Sequence, residues 1–397
     1  MTATLSTFDA VLKTQYPGSL IEEQLNNKVM LLQRLEKDYD SVVGKNFTIP
    51  LHYGRNEGTG ARADGGTLPA AGNQQYKECI VPMRYIYHRI KITGPTIKAA
   101  RSSEGAFVRA VDSEMRGAER DMRSSLNRQL YGDGTGILAI CASAATVNIT
   151  VDSTAKLRPN MPVDILVKAT GATTAGVVNT TVVSITSATV FVVAAAPTTP
   201  ASIDNTYAVY LAGSRNLENM GLAGIASASD PASGALQGLA VATYPWWKAN
   251  VLANGGTARA ISETLLQTAM DTTEQFSSGT ASAIYTTYGV RRAYQAVLSA
   301  LKQYVNPLEL KGGYKALDFN GLPLIADKDC PAKKLFIPDE SKLKIYRLSD
   351  TEWMDDDGAI LSRVSGEDAY EAVLYLYQEL GCHERNAITL LDDITEA

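Results

Sequence analysis

Histidine and cysteine are scarce in this chain, long apolar runs are absent, and neither sign of charge dominates. Each shortage excludes something. The three histidines, His52, His88 and His383, stand too far apart in sequence for a metal triad, and no HExxH occurs. The four cysteines, Cys79, Cys141, Cys330 and Cys382, occur singly without a CxxC pair. That pattern argues against a zinc site or a disulfide framework and for buried, inert thiols. No stretch approaches the roughly 18 apolar residues of a membrane span, so no membrane association is expected. The start, MTATLSTFDAVLKTQ, lacks a basic segment followed by an apolar one, so folding in a cytoplasm is expected. A formal charge of -5 is mild, whereas a protein built to grip nucleic acid needs a concentrated basic face.

The motifs of catalysis are missing too. Neither GxSxG nor a Walker loop is present. Cys382 and His383 are neighbours in what reads as a strand, so they point to opposite faces and cannot act as nucleophile and base. The run GDGTG, Gly132 to Gly136, follows a helix, whereas phosphate loops open one. Asp355, Asp356 and Asp357 before Gly358 lack the alternate spacing of a calcium loop and read as a solvated turn. Trp246 and Trp247 read as a packing anchor. No catalytic residue, no metal ligand and no cofactor is expected, and the chain reads as a non-enzyme.

What is present suits a large globular subunit. With 397 residues, 45% hydrophobic and 20% charged, there is material for two or three domains. Leu25, Val29, Leu32 and Leu35 suit a short amphipathic helix within an otherwise extended arm. Two β-rich stretches follow, VVGKNFTIPLHY and YKECIVPMRYIYHRIKI. Between them lie residues 54 to 75, with six glycines and Leu68 as the only large aliphatic side chain. Ordering so much glycine costs backbone entropy, and this loop has almost nothing to bury in return. Such a loop is either disordered or held by something outside its own fold; the second choice implies a partner chain, with Arg55, Glu57, Arg62, Asp64, Leu68 and Lys77 as the residues expected to meet it.

From Ser103 to Tyr131 runs a helical stripe: Phe107, Val111, Met115, Ala118, Met122, Leu126 and Leu130. Asp112–Arg116 and Glu119–Arg123 have the spacing of helpful ion pairs, Ser103 is placed to cap the start, and Gly132 to end the helix in a left-handed turn. Residues 141 to 213 then carry only six charged side chains, and five short strands punctuated by Pro, Gly and Asn suggest a small all-β barrel or sandwich. The remainder mixes two helices with strands at PLIAD, KLFIP, LKIYRL, YEAVLYLYQEL and AITLL. Ala258, Ile261, Leu265, Ala269 and Phe276 mark the first helix; Val290, Tyr294, Val297, Leu301 and Tyr304 mark the second.

Arm, long flap, long helix and mixed domain, in that order, resemble the major capsid proteins of tailed bacteriophages with the HK97-type fold. RQLYGDGTG is similar to the end of their spine helix, DFNGLPLIADKDCPAKKLFIPDESKLKIY to a late axial-domain segment, and VLYLYQELGCHERNAITLLDDI to their terminal strands. The resemblance implies an α+β chain: an N-terminal arm (1–36), an extended β-hairpin loop (37–93) and a spine helix (103–131). It further implies a peripheral domain (94–140 and 350–397), an inserted small all-β domain (141–213) and an axial domain (214–349). The implied role is structural, in pentamers and hexamers of one icosahedral shell enclosing a genome, in the virion. Implied partners are copies of itself, a separate scaffolding protein, a portal and a decoration protein, with packaged DNA touched only non-specifically. The alternatives are an encapsulin-like cellular shell, which shares the fold, and a metal-dependent hydrolase.

Overall fold

The computed structural model describes residues 28–39, 44–95, 104–300, 308–310, 314–355 and 358–397. Helix α1, Met30–Arg34, is one short turn followed directly by β1, Glu36–Asp38. Val29, Leu31, Leu32 and Leu35 are all buried in the main core of the chain, so this end of the arm is part of the body. Leu25 lies outside the described residues.

Strand β2, Asn46–Gly54, and strand β3, Gln75–Pro82, pair antiparallel from Asn46↔Pro82 to Gly54↔Gln75. The second β-rich stretch divides between two sheets. After Met83 the chain leaves the hairpin, and β4, Arg84–Thr93, joins a different sheet. Pro82 has no N–H to continue a ladder, and buried Met83 anchors the corner. The hairpin therefore pairs only residues 46 to 82, a shorter unit than the expected 37 to 93.

Helix α2, Glu104–Leu130, has 27 residues and is about 40 Å long at 1.5 Å per residue. Ala118, Met122, Leu126 and Leu130 are buried and Met115 is half-buried, as the stripe requires. Ser103, and the side chains of Phe107, Val111 and Asp112, lie outside the described residues. Glu119 and Arg123 make no ion pair; the helix instead pairs Arg128 with Glu218 across to another segment, Nη2 to Oε1 2.6 Å. The helix does not end in a left-handed Gly132. It closes on tightened bonds, Tyr131 N–H to Arg128 O and Gly132 N–H to Gln129 O, and the positive φ angles fall at Gly134 (77°) and Gly136 (79°).

Strands β5 (Ile137–Ala145), β6 (Asn148–Val151), β7 (Pro162–Val167), β8 (Val177–Ile185), β9 (Val190–Val193) and β10 (Tyr207–Leu211) close into a barrel, order β10-β5-β6-β9-β8-β7. Its core is its own, with Ile149, Val163, Ile165, Val182, Phe191 and Val209 fully buried. The expected module began at residue 141 with five strands; the sixth, β5, starts at 137. Its sequence signal is weak because ILAICASAA is built mostly of small residues with little β-branching. Buried Asp164 ties the barrel's lower end, accepting from Asn179 N–H and Gly213 N–H at 2.6 and 2.8 Å.

Helix α3, Leu222–Ile225, is a single buried turn before β11, Asn250–Leu252. Helix α4, Glu263–Phe276, is capped by the Ser262 side chain, which accepts from Leu265 N–H. Its buried face is Leu266, Ala269, Met270 and Thr273; Ala258 and Ile261 precede it, and Phe276 is exposed, not in the core. Strand β12 is Ile284–Thr286, and helix α5 is Tyr288–Ala300, with Val290 and Tyr294 buried. Leu301 and Tyr304 lie outside the described residues. Strands β13 (Leu308–Leu310), β14 (Tyr314–Phe319), β15 (Leu322–Ala326) and β16 (Leu335–Pro338) follow. Then come β17 (Leu343–Arg347), β18 (Glu352–Trp353), β19 (Ser362–Arg363), β20 (Ala369–Cys382) and β21 (Ile388–Leu391).

Two sheets organise the body. One is built on the 14-residue β20, which carries β4 along one edge and β17, β18 and β19 along the other, with β1 beyond β17. The second has seven strands in the order β11-β21-β16-β12-β15-β14-β13. The domain limits expected from sequence cut across both. β17 falls in the range expected to be axial, yet pairs with β20; β21 falls in the peripheral range, yet pairs with β11 and β16. Sheet membership depends on non-local pairing, which a linear reading cannot see.

Candidate functional site

The hairpin changes character halfway along. At its base Ile49, Leu51, Cys79 and Val81 point into the main core, and Phe47 packs on Tyr346 with ring centroids 4.2 Å apart. Further out, Tyr53 stacks on Trp246 at 4.8 Å, with Trp247 buried beneath. The tandem tryptophans are thus the wall that supports the hairpin. Lys77 places its ammonium over the ring of Tyr244, 5.3 Å from the centroid, so this candidate contacts its own chain. Its Nζ hydrogen bond to Tyr244 raises its pKa above the usual lysine value.

Beyond Gly54 the picture is different. Arg55, Glu57, Arg62, Asp64 and Leu68 are all exposed, and Leu68 is 81% exposed. The loop's hydrogen bonds run within itself and to the neck of the hairpin. Asn56 Oδ1 accepts from Gly58 N–H and Gly72 N–H, Arg62 Nε donates to Thr67 O, and His52 Nε2 meets Gln74 Oε1 at 2.7 Å. The loop is closed at its neck, and among the described residues it has no hydrogen bond to the body of the subunit.

A second unfinished surface lies at β4, which pairs only with β20 among the described strands. Its other edge, together with Asp121, Met122 and Ser125 of α2 and with Leu217, lines an open groove of about 570 Å³. Tyr85 and Tyr87 stand 53% and 56% exposed and pack edge-on against Tyr377. The period-two pattern of YIYHRIKI could have flagged this tyrosine face, but not that β20 completes it.

The pivot between hairpin and sheet rests on a buried acid. Glu379 Oε1 accepts from Met220 N–H and Leu380 N–H, and Arg84 Nε donates to Oε2 at 3.2 Å. Burial raises the Glu379 carboxyl to about 7, against the pull of Arg84 and the two backbone donors. Arg385, also buried, donates to the carbonyls of Ile225, Trp247, Gly224 and Ser229, fixing the α3 turn to the chain's end. Both residues support packing.

The four cysteines are all buried and free, and burial raises their pKa values. His383 Nε2 lies 2.6 Å from Tyr346 Oη, away from Cys382. Gly358 N–H donates to Asp355 O in a plain turn, while Asp356 and Asp357 lie outside the described residues. Among the described residues no three His, Cys, Asp or Glu side chains stand together as a metal site, and no helix is long and apolar enough to cross a membrane.

No protein-family model matches the sequence, and no curated protein matches it. Solved structures do match in fold, along the whole length. The cyanophage A-1(L) capsid asymmetric unit superposes with a TM-score of 0.63 at 16% identity, covering 99% of this chain and 100% of that one. The chain has the fold of phage capsid subunits. The capsid of the native GTA particle gives a TM-score of 0.55 at 10% identity, with full coverage of both chains. The holo-SrpI encapsulin complex of Synechococcus elongatus gives 0.52 at 8%, covering 100% of this chain and 96% of that one.

Proposed function

We propose that this chain is the major capsid protein of a tailed phage, a structural subunit that closes into pentamers and hexamers of one icosahedral shell around a genome. The observation that carries the reading is the hairpin: a base locked into the core holds out a loop that, among the described residues, has no hydrogen bond to the body of its own chain, within a capsid fold. A contact between two unlike patches repeats head to tail and closes into a ring when the rotation allows. Loop 55–74 is one patch, with Arg55, Glu57, Arg62, Asp64 and Leu68 as contact residues, and the open β4 edge with its tyrosines is a surface for a neighbour to cover. In the terms of the fold, the hairpin is the extended loop and α2 the spine helix. The β20 sheet with α2 forms the peripheral domain and the seven-stranded sheet the axial one, and the barrel is an insertion. A scaffolding protein, a portal and a decoration protein complete the partners, and DNA is met non-specifically in the virion.

Deleting residues 56 to 73 tests this. The subunit should stay soluble and folded, because the deleted residues bury nothing, while closed particles disappear under negative stain. Normal particles from the deletion variant would refute the proposal. The encapsulin-like alternative is favoured by the SrpI likeness. It predicts that shells made with their native neighbours carry protein cargo and no nuclease-protected DNA. The hydrolase alternative predicts a response to EDTA and nucleotide.

A further inference from the structure

Where α1, β1, α2 and the end of β17 meet, they enclose a hollow of about 370 Å³. Its floor is apolar, from Leu32 and Leu126; its rim carries three cations, Lys37, Arg123 and Arg347, and one carboxylate, Asp350. Arg347 is held rigidly. Its side chain is 5% exposed, Nη1 donates to Asp350 Oδ1 at 2.7 Å and to Tyr39 Oη at 3.2 Å, and Nε donates to Gln378 Oε1 at 3.0 Å. Lys37 and Arg123 have neither a carboxylate nor a hydrogen-bond partner for their side chains among the described residues. Partial burial lowers the pKa of Lys37, and the charges of Arg347 and Arg123 lower it further, while Asp350 opposes them. Among the described residues, three like charges around one acid leave a surplus of two positive charges in a concave site.

We propose that this hollow binds a dianionic phosphate group, free or at the end of a nucleotide. The charge selects the ligand: a carboxylate or a backbone phosphodiester brings one negative charge, whereas a terminal phosphate brings about 1.5 to 2 at neutral pH with three acceptor oxygens. Lys37, Arg123 and the remaining Nη2 of Arg347, from three elements, are donors available to those oxygens, and charge-assisted bonds of this kind are the stronger class. The bound group would tie the exit of the N-terminal arm to the long helix and to the β20 sheet. None of this depends on the shell reading.

The test uses the full chain at low ionic strength, titrated with inorganic phosphate by calorimetry and with chloride at matched ionic strength. One phosphate should bind per chain, saturably, and chloride should not reproduce it. Lys37→Gln and Arg123→Gln alter exposed side chains, so both should keep the wild-type circular dichroism spectrum. Each should weaken phosphate binding by at least about tenfold. Absence of saturable binding, or equal binding by the two variants, overturns the proposal. A 5′-phosphorylated trinucleotide and its unphosphorylated twin then separate the sources. Competition by the phosphorylated form alone assigns a nucleotide end, and competition by neither assigns free phosphate. Competition by both overturns the preference for a dianion.

Discussion

The barrel of residues 137–211 and the hairpin of residues 46–82 are both antiparallel β structures, and they treat their edges in opposite ways. In the barrel β10 pairs with β5 and β7, so the ring of strands closes and no edge is left. Its core of Ile149, Val163, Ile165, Val182, Phe191 and Val209 is separate from the body's. The hairpin is a two-stranded sheet, a form that is marginal on its own in water. Four residues at its base are buried and none of its loop residues is. One module satisfies itself within the chain; the other, among the described residues, leaves its loop without a hydrogen bond to the body. Sequence composition marks the same contrast: few charges and many β-branched residues in the barrel, glycine and charge in the loop.

The largest expected effect is the loss of particles on deleting 56 to 73, with a melting temperature close to wild type. A steep fall in that temperature would mean the loop supports its own subunit, and the contrast with the barrel would be lost. Next is Phe191→Ala, which empties the barrel centre and should cost about 3–5 kcal/mol. Barrel amides should lose hydrogen-exchange protection while those of Ile49, Leu51 and Val81 keep theirs. Parallel loss in both places would show that the barrel is not an independent unit.

Glu379 tests the hairpin's anchorage. Its carboxyl is raised by burial from 4.5 to about 7 in the folded chain, so the unfolded chain releases the proton first as pH rises. The stability it contributes is present below about pH 4.5 and is lost as pH climbs through about 7, as much as about 3 kcal/mol in all. Denaturant melts of Glu379→Gln should show a flatter profile between pH 5 and pH 8 than wild type; an unchanged slope would assign the titration elsewhere. The smallest effect is expected from Tyr53→Ala, which removes the stack on Trp246 and should cost about 1 kcal/mol. Faster exchange should then appear in the outer hairpin, with the core unaffected.

Much of the architecture could be read from the residues. The stripe Met115, Ala118, Met122, Leu126 and Leu130 specified α2, and glycine content marked the loop. Other features were hidden for physical reasons. Nothing in the alternation across Pro82 and Met83 says that the strand changes sheets, because a side-chain period of two looks the same on both sides of a corner. Strand β5 hides in alanine and serine, and Phe276 looks apolar enough for a core that the helix does not turn it toward. At the candidate surface, Leu68 and its charged neighbours stood out from composition. The contact of Lys77 with Tyr244 was not legible there, because that ring lies 167 positions further on.

By itself, the sequence determined most segments of helix, strand and loop, β5 and the corner at Pro82 and Met83 apart, since side-chain period and glycine content act over a few neighbouring residues. It also left the loop with almost no apolar surface of its own to offset the entropy of order. Only the tertiary structure decided which strands share a sheet, which edge of β4 stays open, and that Lys37, Arg123 and Arg347 face one hollow. Those outcomes rest on contacts between residues far apart in the chain, and no local pattern encodes them.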